Sequence, residues 1–175
     1  MKVWQKCLVI VPALVLVGTT VRSQTPGKEL AAVLRGLAEV PAVSSVATGF
    51  FHATISDDET SIAYQLHYEG LEGTVTQSHI HFGQPMVSGG ISVWLCGNNP
   101  PTTPPPGTPA CPDPGVGPEV TGTLTADSVV GPTGQGIAAG EFAELIKAIR
   151  KGDAYANVHS SKFPGGEVRG QIAVR

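Results

Sequence analysis

The stretch VTQSHIHFGQPMVSGGISVWLC, residues 75–96, carries two histidines, His79 and His81, on either side of the apolar Ile80. In a strand, alternate side chains share a face, so both imidazoles are predicted on one face and Ile80 in a core. The Cβ atoms of the two histidines are then about 7 Å apart, so both rings can turn towards one ion. Neutral imidazole is a common ligand of copper and zinc. The alternative is that both are exposed polar positions of an alternating strand.

Three further histidines lie in predicted strands. His52 and His67 belong to a hairpin around the turn DDET, residues 57–60, and a tight turn places them on one outward face as near-diagonal neighbours. His159 lies in a C-terminal hairpin, where it is predicted to share a face with Arg169 if the valines point into the core. Taken singly, His52 and His67 are better explained as solvated strand positions.

The composition favours a single domain made of short strands. The chain has 175 residues, a net charge of -3 and 41% hydrophobic residues, and its 22 glycines and 15 prolines favour turns over long helices. Its 11 Lys and Arg are spread along the chain, so we expect no nucleic acid partner.

The N-terminal residues have the pattern of a secretory signal peptide. Lys2 and Lys6 precede an apolar run, residues 7–18, that is too short to span a membrane comfortably. We expect cleavage near Ser23, which leaves residues 24–175 as one exported domain, secreted or periplasmic, with no membrane contact after cleavage. The alternative is a retained membrane anchor, which Pro12 within the run disfavours.

Two cysteines remain after such a cleavage, Cys96 and Cys111. Outside the cytosol an isolated pair usually forms a disulfide, here closing the proline-rich loop between them. Closing a loop of this length contributes about 3 kcal/mol in the chain-entropy model. Metal binding by the two thiolates is the alternative, which the long spacing disfavours.

One segment has helical periodicity. In EFAELIKAIRKGD, residues 141–153, the apolar residues recur at helical spacing and Gly152 follows as a stop signal. With the alternating segments elsewhere, this predicts an all-β fold: an antiparallel, Greek-key-like sandwich or barrel with one short capping helix.

Three blocks of this sequence resemble the chordin-type (CHRD) domain of secreted bacterial proteins. They are LAEVPAVSSVATG, SHIHFGQPMVSGGISVWLCGN and AGEFAELIKAIRKGDAYANVHSSKFPGGEVRGQI, within a likeness that runs from about Glu29 to Ile172. The resemblance implies an exported all-β domain. It implies no reaction by itself, because function depends on the site and not on the fold.

A second resemblance concerns the site. His79, His81 and His159 are similar to the copper ligands of copper/zinc superoxide dismutases, in which an H-x-H pair and a distant histidine hold copper. That resemblance implies a copper-only centre, since no zinc subsite is evident, with Arg169 guiding the superoxide anion. His52 or His67 is the candidate for a fourth ligand. The implied activity is superoxide dismutation.

A hypothesis of a different class is a non-catalytic binding or structural module of the cell envelope. In that case the histidines need not converge, and exposed Trp94, Tyr155 and Phe163 carry the binding. The sequence leaves open whether a bound metal would catalyse any reaction and whether the chain forms a homodimer.

Overall fold

The structure, a computed structural model, describes residues 28–113 and 119–175. The predicted signal peptide, residues 1–23, lies outside the described residues. Within them the chain forms one α-helix, α1 (Phe142–Lys151), three single-turn 3-10 helices, and nine strands: β1 (Glu29–Arg35), β2 (Thr48–Ile55), β3 (Ile62–Glu69), β4 (Val75–Phe82), β5 (Gly90–Gly97), β6 (Val120–Leu124), β7 (Ala154–Ser160), β8 (Val168–Gln171) and β9 (Ala173–Val174).

The strands form one antiparallel, nearly closed, barrel-like sheet in the order β5-β4-β7-β8-β1-β2-β3-β6, with β9 paired to β1. At the gap between the end strands β5 and β6, the Tyr64 hydroxyl donates to the Leu95 carbonyl at 2.6 Å. Beyond β6, the Val130 amide donates to the Ser92 carbonyl at 2.9 Å. The all-β prediction with one helix is therefore confirmed.

The core follows the predicted alternation. Phe51 and Ile55 of β2 and Leu66 of β3 point inward and are fully buried, while the residues between the inward positions of β2 are exposed. β1 begins at Glu29, and its Leu30 and Leu34 face the core.

Helix α1 contacts β7 and β9 through its predicted apolar face. Phe142, Leu145, Ile146 and Ile149 are buried. Gly152 adopts a φ of 76° and its amide donates to the last carbonyls, which ends the helix. No helix among the described residues is long and apolar enough to cross a membrane.

Cys96, at the end of β5, is bonded to Cys111. The disulfide confirms the predicted pairing and closes the proline-rich loop. Asn98 fixes the loop from inside, because its side chain donates to the Cys111 carbonyl and accepts from the Cys111 amide, at 3.1 and 2.9 Å.

A second buried layer lies on the opposite face of β4, β7 and β8. The Cα pairs of the ladder align His79 with Asn157, and Asn157 with Arg169, so these side chains share the face away from the core. Segments around Gln84, Pro164 and Glu39 cover this face. As a result, polar side chains that point away from the hydrophobic core are buried beneath these segments.

Candidate metal centre

Three histidines meet in this second layer. β4 supplies His79 and His81, and the neighbouring β7 supplies His159, whose Cα partner on β4 is Gln77. The ring centroids of His79 lie 5.3 Å from His81 and 5.0 Å from His159. One ring nitrogen from each histidine can be chosen so that all three lie within 4.8 Å of one another. The set could hold a metal ion.

Backbone carbonyls orient two of the rings. His81 Nδ1 lies 3.0 Å from the Gly89 carbonyl, and His159 Nδ1 lies 2.9 Å from the Pro164 carbonyl. A carbonyl only accepts, so each Nδ1 carries the proton and each Nε2 keeps its lone pair. This is how metal-binding histidines are commonly held, with one nitrogen fixed by a hydrogen bond and the other free to ligate.

His79 completes the arrangement. Its Nδ1 lies 3.2 Å from His159 Nε2 and donates to it when no ion is bound. Two ligand nitrogens on a tetrahedral zinc ion, each at about 2.0–2.1 Å, are about 3.3 Å apart. The observed separation therefore matches that of two ligands on one ion.

Two buried nitrogens of the cluster lack a partner. The Nε2 atoms of His79 and His81 are sealed from solvent and have no hydrogen bond within the described protein. Buried polar atoms are normally satisfied, and an unsatisfied one costs about 1–3 kcal/mol. A metal held by the cluster would satisfy His81 Nε2, whereas His79, if it ligates through Nδ1, would leave its own Nε2 without a partner in the described protein.

Burial keeps the cluster uncharged. Desolvation lowers the pKa of His79 to about 2, with the neighbouring His159 and His81 adding to the effect. Desolvation also lowers the pKa of His81 to about 4, partly offset by its bond to the Gly89 carbonyl, and it lowers the pKa of His159. All three rings are neutral at pH 7, the form that binds metal.

Gly89 is fixed from two sides. Its carbonyl accepts from His81, and its amide donates to the Tyr155 hydroxyl at 3.1 Å. A Cβ added at Gly89 would lie 1.7 Å from the Phe82 carbonyl oxygen, so no other residue fits this backbone. The position of Gly89 thus determines the orientation of His81.

Tyr155 is stacked between a candidate ligand and a cation. Its ring is parallel to that of His81, with centroids 4.7 Å apart, and the Arg169 guanidinium carbon lies 3.4 Å from its ring centre. Arg169 is buried and donates to the Gln84 carbonyl at 3.2 Å. Its charge is one of the smaller causes that lower the pKa of His81, so its field reaches the cluster.

Glu39 contacts this layer through Asn157. Its Oε1 accepts from Asn157 Nδ2 at 2.5 Å. Burial raises the pKa of Glu39 to about 7, although nearby Arg169 acts in the opposite direction. Glu39 therefore opposes the charge of Arg169 only in the part of the population that is ionised.

His52 and His67 lie outside the cluster. They flank the exposed ring of Phe50 on the outer face of β2 and β3, with ring centroids 5.6 and 5.3 Å from it. Three strands, β7, β8 and β1, separate β2 from β4 in the sheet. The pair is diagonal as predicted, because Phe50 is the Cα partner of His67 and His52 lies two residues further on.

The residues named for the binding-module hypothesis have different environments. Trp94 and Phe163 are half-buried, whereas Tyr155 is buried, so the expectation of an exposed Tyr155 is wrong. The expectation that His79 and His81 are exposed strand positions is also wrong. Gly89, Pro164 and Asn157 were missed as parts of the site, because their contributions are backbone or long-range contacts.

The family comparison covers the same residues. The family model described as the CHRD domain matches residues 30–172. The chain belongs to the CHRD domain family. The match spans the three histidines of this CHRD domain and Arg169. Comparison with curated proteins and with solved structures gave no significant match.

Proposed function

We propose that this CHRD protein binds one copper ion through His79, His81 and His159. The observation that carries the proposal is the convergence of three buried, neutral imidazoles, of which two have Nε2 left free by backbone carbonyls. Burying the Nε2 atoms of His79 and His81 without hydrogen-bond partners is costly, and an ion held by the cluster would offset part of that cost.

The donor set supports copper over other ions. Three imidazoles without a carboxylate or thiolate in the described cluster suit copper, zinc, iron and nickel, and exclude the hard ions magnesium and calcium. Among divalent ions, copper binds such a site most tightly. The likeness of the H-x-H pair and the distant histidine to a copper set supports the same choice.

Metal content tests the proposal. The full chain, expressed with export, is purified without chelator and its copper, zinc and iron are measured. We expect about one copper per chain in the wild type and none in His79→Ala/His81→Ala. The double variant His52→Ala/His67→Ala, which removes the same number of imidazoles elsewhere, is the control and should keep its copper. Equal metal content in all three proteins would show that His79 and His81 do not bind the ion.

Export is part of the proposal. A structural disulfide persists in an oxidising compartment, which supports a secreted or periplasmic location. We expect the N-terminal sequence of the exported protein to begin near Ser23. A mature chain that retains Met1 and its apolar run would count against a cleaved signal.

We further propose that the copper form dismutes superoxide. A copper ion held by His79, His81 and His159 would supply the redox chemistry: it would accept an electron from one superoxide, which leaves as oxygen, and return it with two protons to a second, which leaves as hydrogen peroxide. Arg169 supports this step, because its positive field reaches His81 and favours an approaching anion. Superoxide consumption per bound copper, compared with free copper and with the His79→Ala/His81→Ala protein, tests it.

One observation favours a non-catalytic role instead. The exposed fractions of His79, His81 and His159 are 0%, 8% and 6%, so little of any ligand faces solvent. A closed site of this kind suits a structural or stored ion in an envelope module. A protein that binds copper but does not consume superoxide would have the structural or storage role.

A further inference from the structure

A groove of about 360 Å³ lies beside the gap between β5 and β6. The proline-rich, disulfide-closed loop forms one wall with Pro105 and Pro109, and β6 forms another with Thr123. Trp94 lines the groove between them. Its volume is in the range of small-molecule sites and suits a molecule of one or two rings.

Trp94 connects this groove to the metal centre. Its ring also packs against that of His79, with centroids 4.3 Å apart and planes at 87°. Gly97 makes room for the indole, because a Cβ there would lie 2.9 Å from Trp94 Cζ3 and 2.8 Å from Pro104 Cβ. One half-buried side chain thus touches both a candidate ligand and a solvent-open groove.

We propose that the groove binds a neutral diphenol of the catechol or hydroquinone class, and that Trp94 passes one electron from it to the copper ion. The inference rests on the proposed copper site and adds a reductant to it. Because the three histidines are almost fully buried, a molecule of this size cannot reach the ion directly. The electron must cross protein, and Trp94 is in contact at both ends.

The lining favours this class of molecule. The indole of Trp94 and the flat faces of Pro105 and Pro109 stack well on an aromatic ring. Asp127 and Ser128, which also line the groove, offer oxygen acceptors to phenolic hydroxyls. The negative charge of Asp127 disfavours anionic reductants such as ascorbate. A neutral ring with hydroxyl groups fits both parts of the lining.

The chemical step is a one-electron oxidation. The diphenol loses one electron through Trp94, copper(II) becomes copper(I), and one phenolic proton passes to solvent. Charge and atoms balance without another reactant. When a superoxide takes the electron from copper(I) and leaves, with two protons, as hydrogen peroxide, a second one-electron step with loss of the other phenolic proton completes the oxidation of the diphenol to the quinone.

Binding is tested first without metal. Calorimetry of the metal-free full chain with catechol should show saturable binding, which Thr123→Trp should abolish by filling the groove. Ala139→Trp, an exposed position outside the groove lining, is the matched control and should bind as the wild type does. Absence of binding to the wild type, or equal binding by the Thr123→Trp protein, would overturn the proposal whether or not copper is bound.

Electron transfer is tested next in the copper-loaded protein. Loss of the copper(II) signal on anaerobic mixing with catechol should saturate with catechol concentration, and Trp94→Phe should slow it at least tenfold. Copper content and the copper(II) spectrum before mixing show whether that variant still holds its ion. An unchanged rate in Trp94→Phe with copper retained would overturn the relay, while a wild type without copper would instead overturn the proposed function.

Discussion

The Nδ1 atom of His79 lies 3.2 Å from the Nε2 atom of His159, although 80 residues separate them in the chain. The contact exists because β4 and β7, which are not consecutive in the chain, are neighbours in the sheet. Their diagonal positions on one face bring the two rings together. The metal centre therefore depends on the sheet topology as much as on the H-x-H pair.

Acid should destabilise the metal-free protein below pH 6.5. The folded pKa values of His79, His81 and His159 are lowered, so the unfolded chain takes up protons there that the folded chain does not. Glu39 acts oppositely, because its folded pKa of about 7 lies above its unfolded value of 4.5. On unfolding near pH 5.5, His79 and His81 take up about two protons and Glu39 releases about one. About one proton remains, or about 1.4 kcal/mol per pH unit, and the lowered pKa of His159 adds to this slope.

Urea unfolding at a series of pH values between 7 and 5 measures this slope. Glu39→Gln should steepen it by about one proton, because the opposing carboxyl is gone. A free energy of unfolding that stays level or rises as the pH falls would show that the histidines are not buried in their neutral form.

Replacing Gly89 by alanine should both destabilise the fold and weaken metal binding. The new Cβ would collide with the Phe82 carbonyl and push the Gly89 carbonyl away from His81. We expect a loss of about 3 kcal/mol in the free energy of unfolding. Gly134→Ala, where a Cβ meets nothing within 4 Å, is the control. Wild-type copper affinity in a folded Gly89→Ala protein would contradict the role of this carbonyl.

If the copper form dismutes superoxide, Arg169→Gln should slow it about tenfold and flatten its dependence on ionic strength. The guanidinium is the cation stacked beyond Tyr155, and its field reaches His81. Arg35→Gln is a close control, because Arg35 is the exposed Cα partner of Arg169 on β1. Stopped-flow decay of superoxide at several salt concentrations gives both quantities. Equal losses in the two variants would rule out a specific role of Arg169.

The disulfide should matter for the groove more than for the metal. Replacing Cys96 and Cys111 by serine should lower the free energy of unfolding by about 3 kcal/mol. It should also release the loop that carries Pro105 and Pro109, so catechol binding should be lost. The histidines are held by β4 and β7, so copper should be retained. If a folded variant lost copper as well as catechol binding, the metal site would depend on the disulfide-closed loop, contrary to this prediction.

Strand parity in the sequence predicted the faces correctly. It placed His79 with His81, His159 with Arg169, and His52 diagonally across from His67. Parity refers to one strand or hairpin, however, and carries no information on which hairpins become neighbours. His159 meets His79 and His81 because β7 is next to β4 in the sheet, whereas His52 lies on β2, which is not. This strand order depends on the packing of the whole chain.

Burial of the site could not be predicted in the same way. An alternating strand with polar residues on one face normally exposes that face. Here carbonyls of Gly89 and Pro164 and the carboxyl of Glu39 come from loops that fold over the sheet. Such contacts depend on loop conformation, for which periodicity gives no signal. The contact of Trp94 with His79 arises in the same way from a long-range feature, the pairing of β4 with β5.

A crystal structure of the copper-loaded protein, with anomalous data collected at the copper edge, shows directly whether the three histidines hold the ion. We expect a single strong anomalous peak bonded, at about 2.0–2.1 Å, to one ring nitrogen each of His79, His81 and His159. A peak beside His52 and His67, or no peak in protein that contains stoichiometric copper, would contradict it.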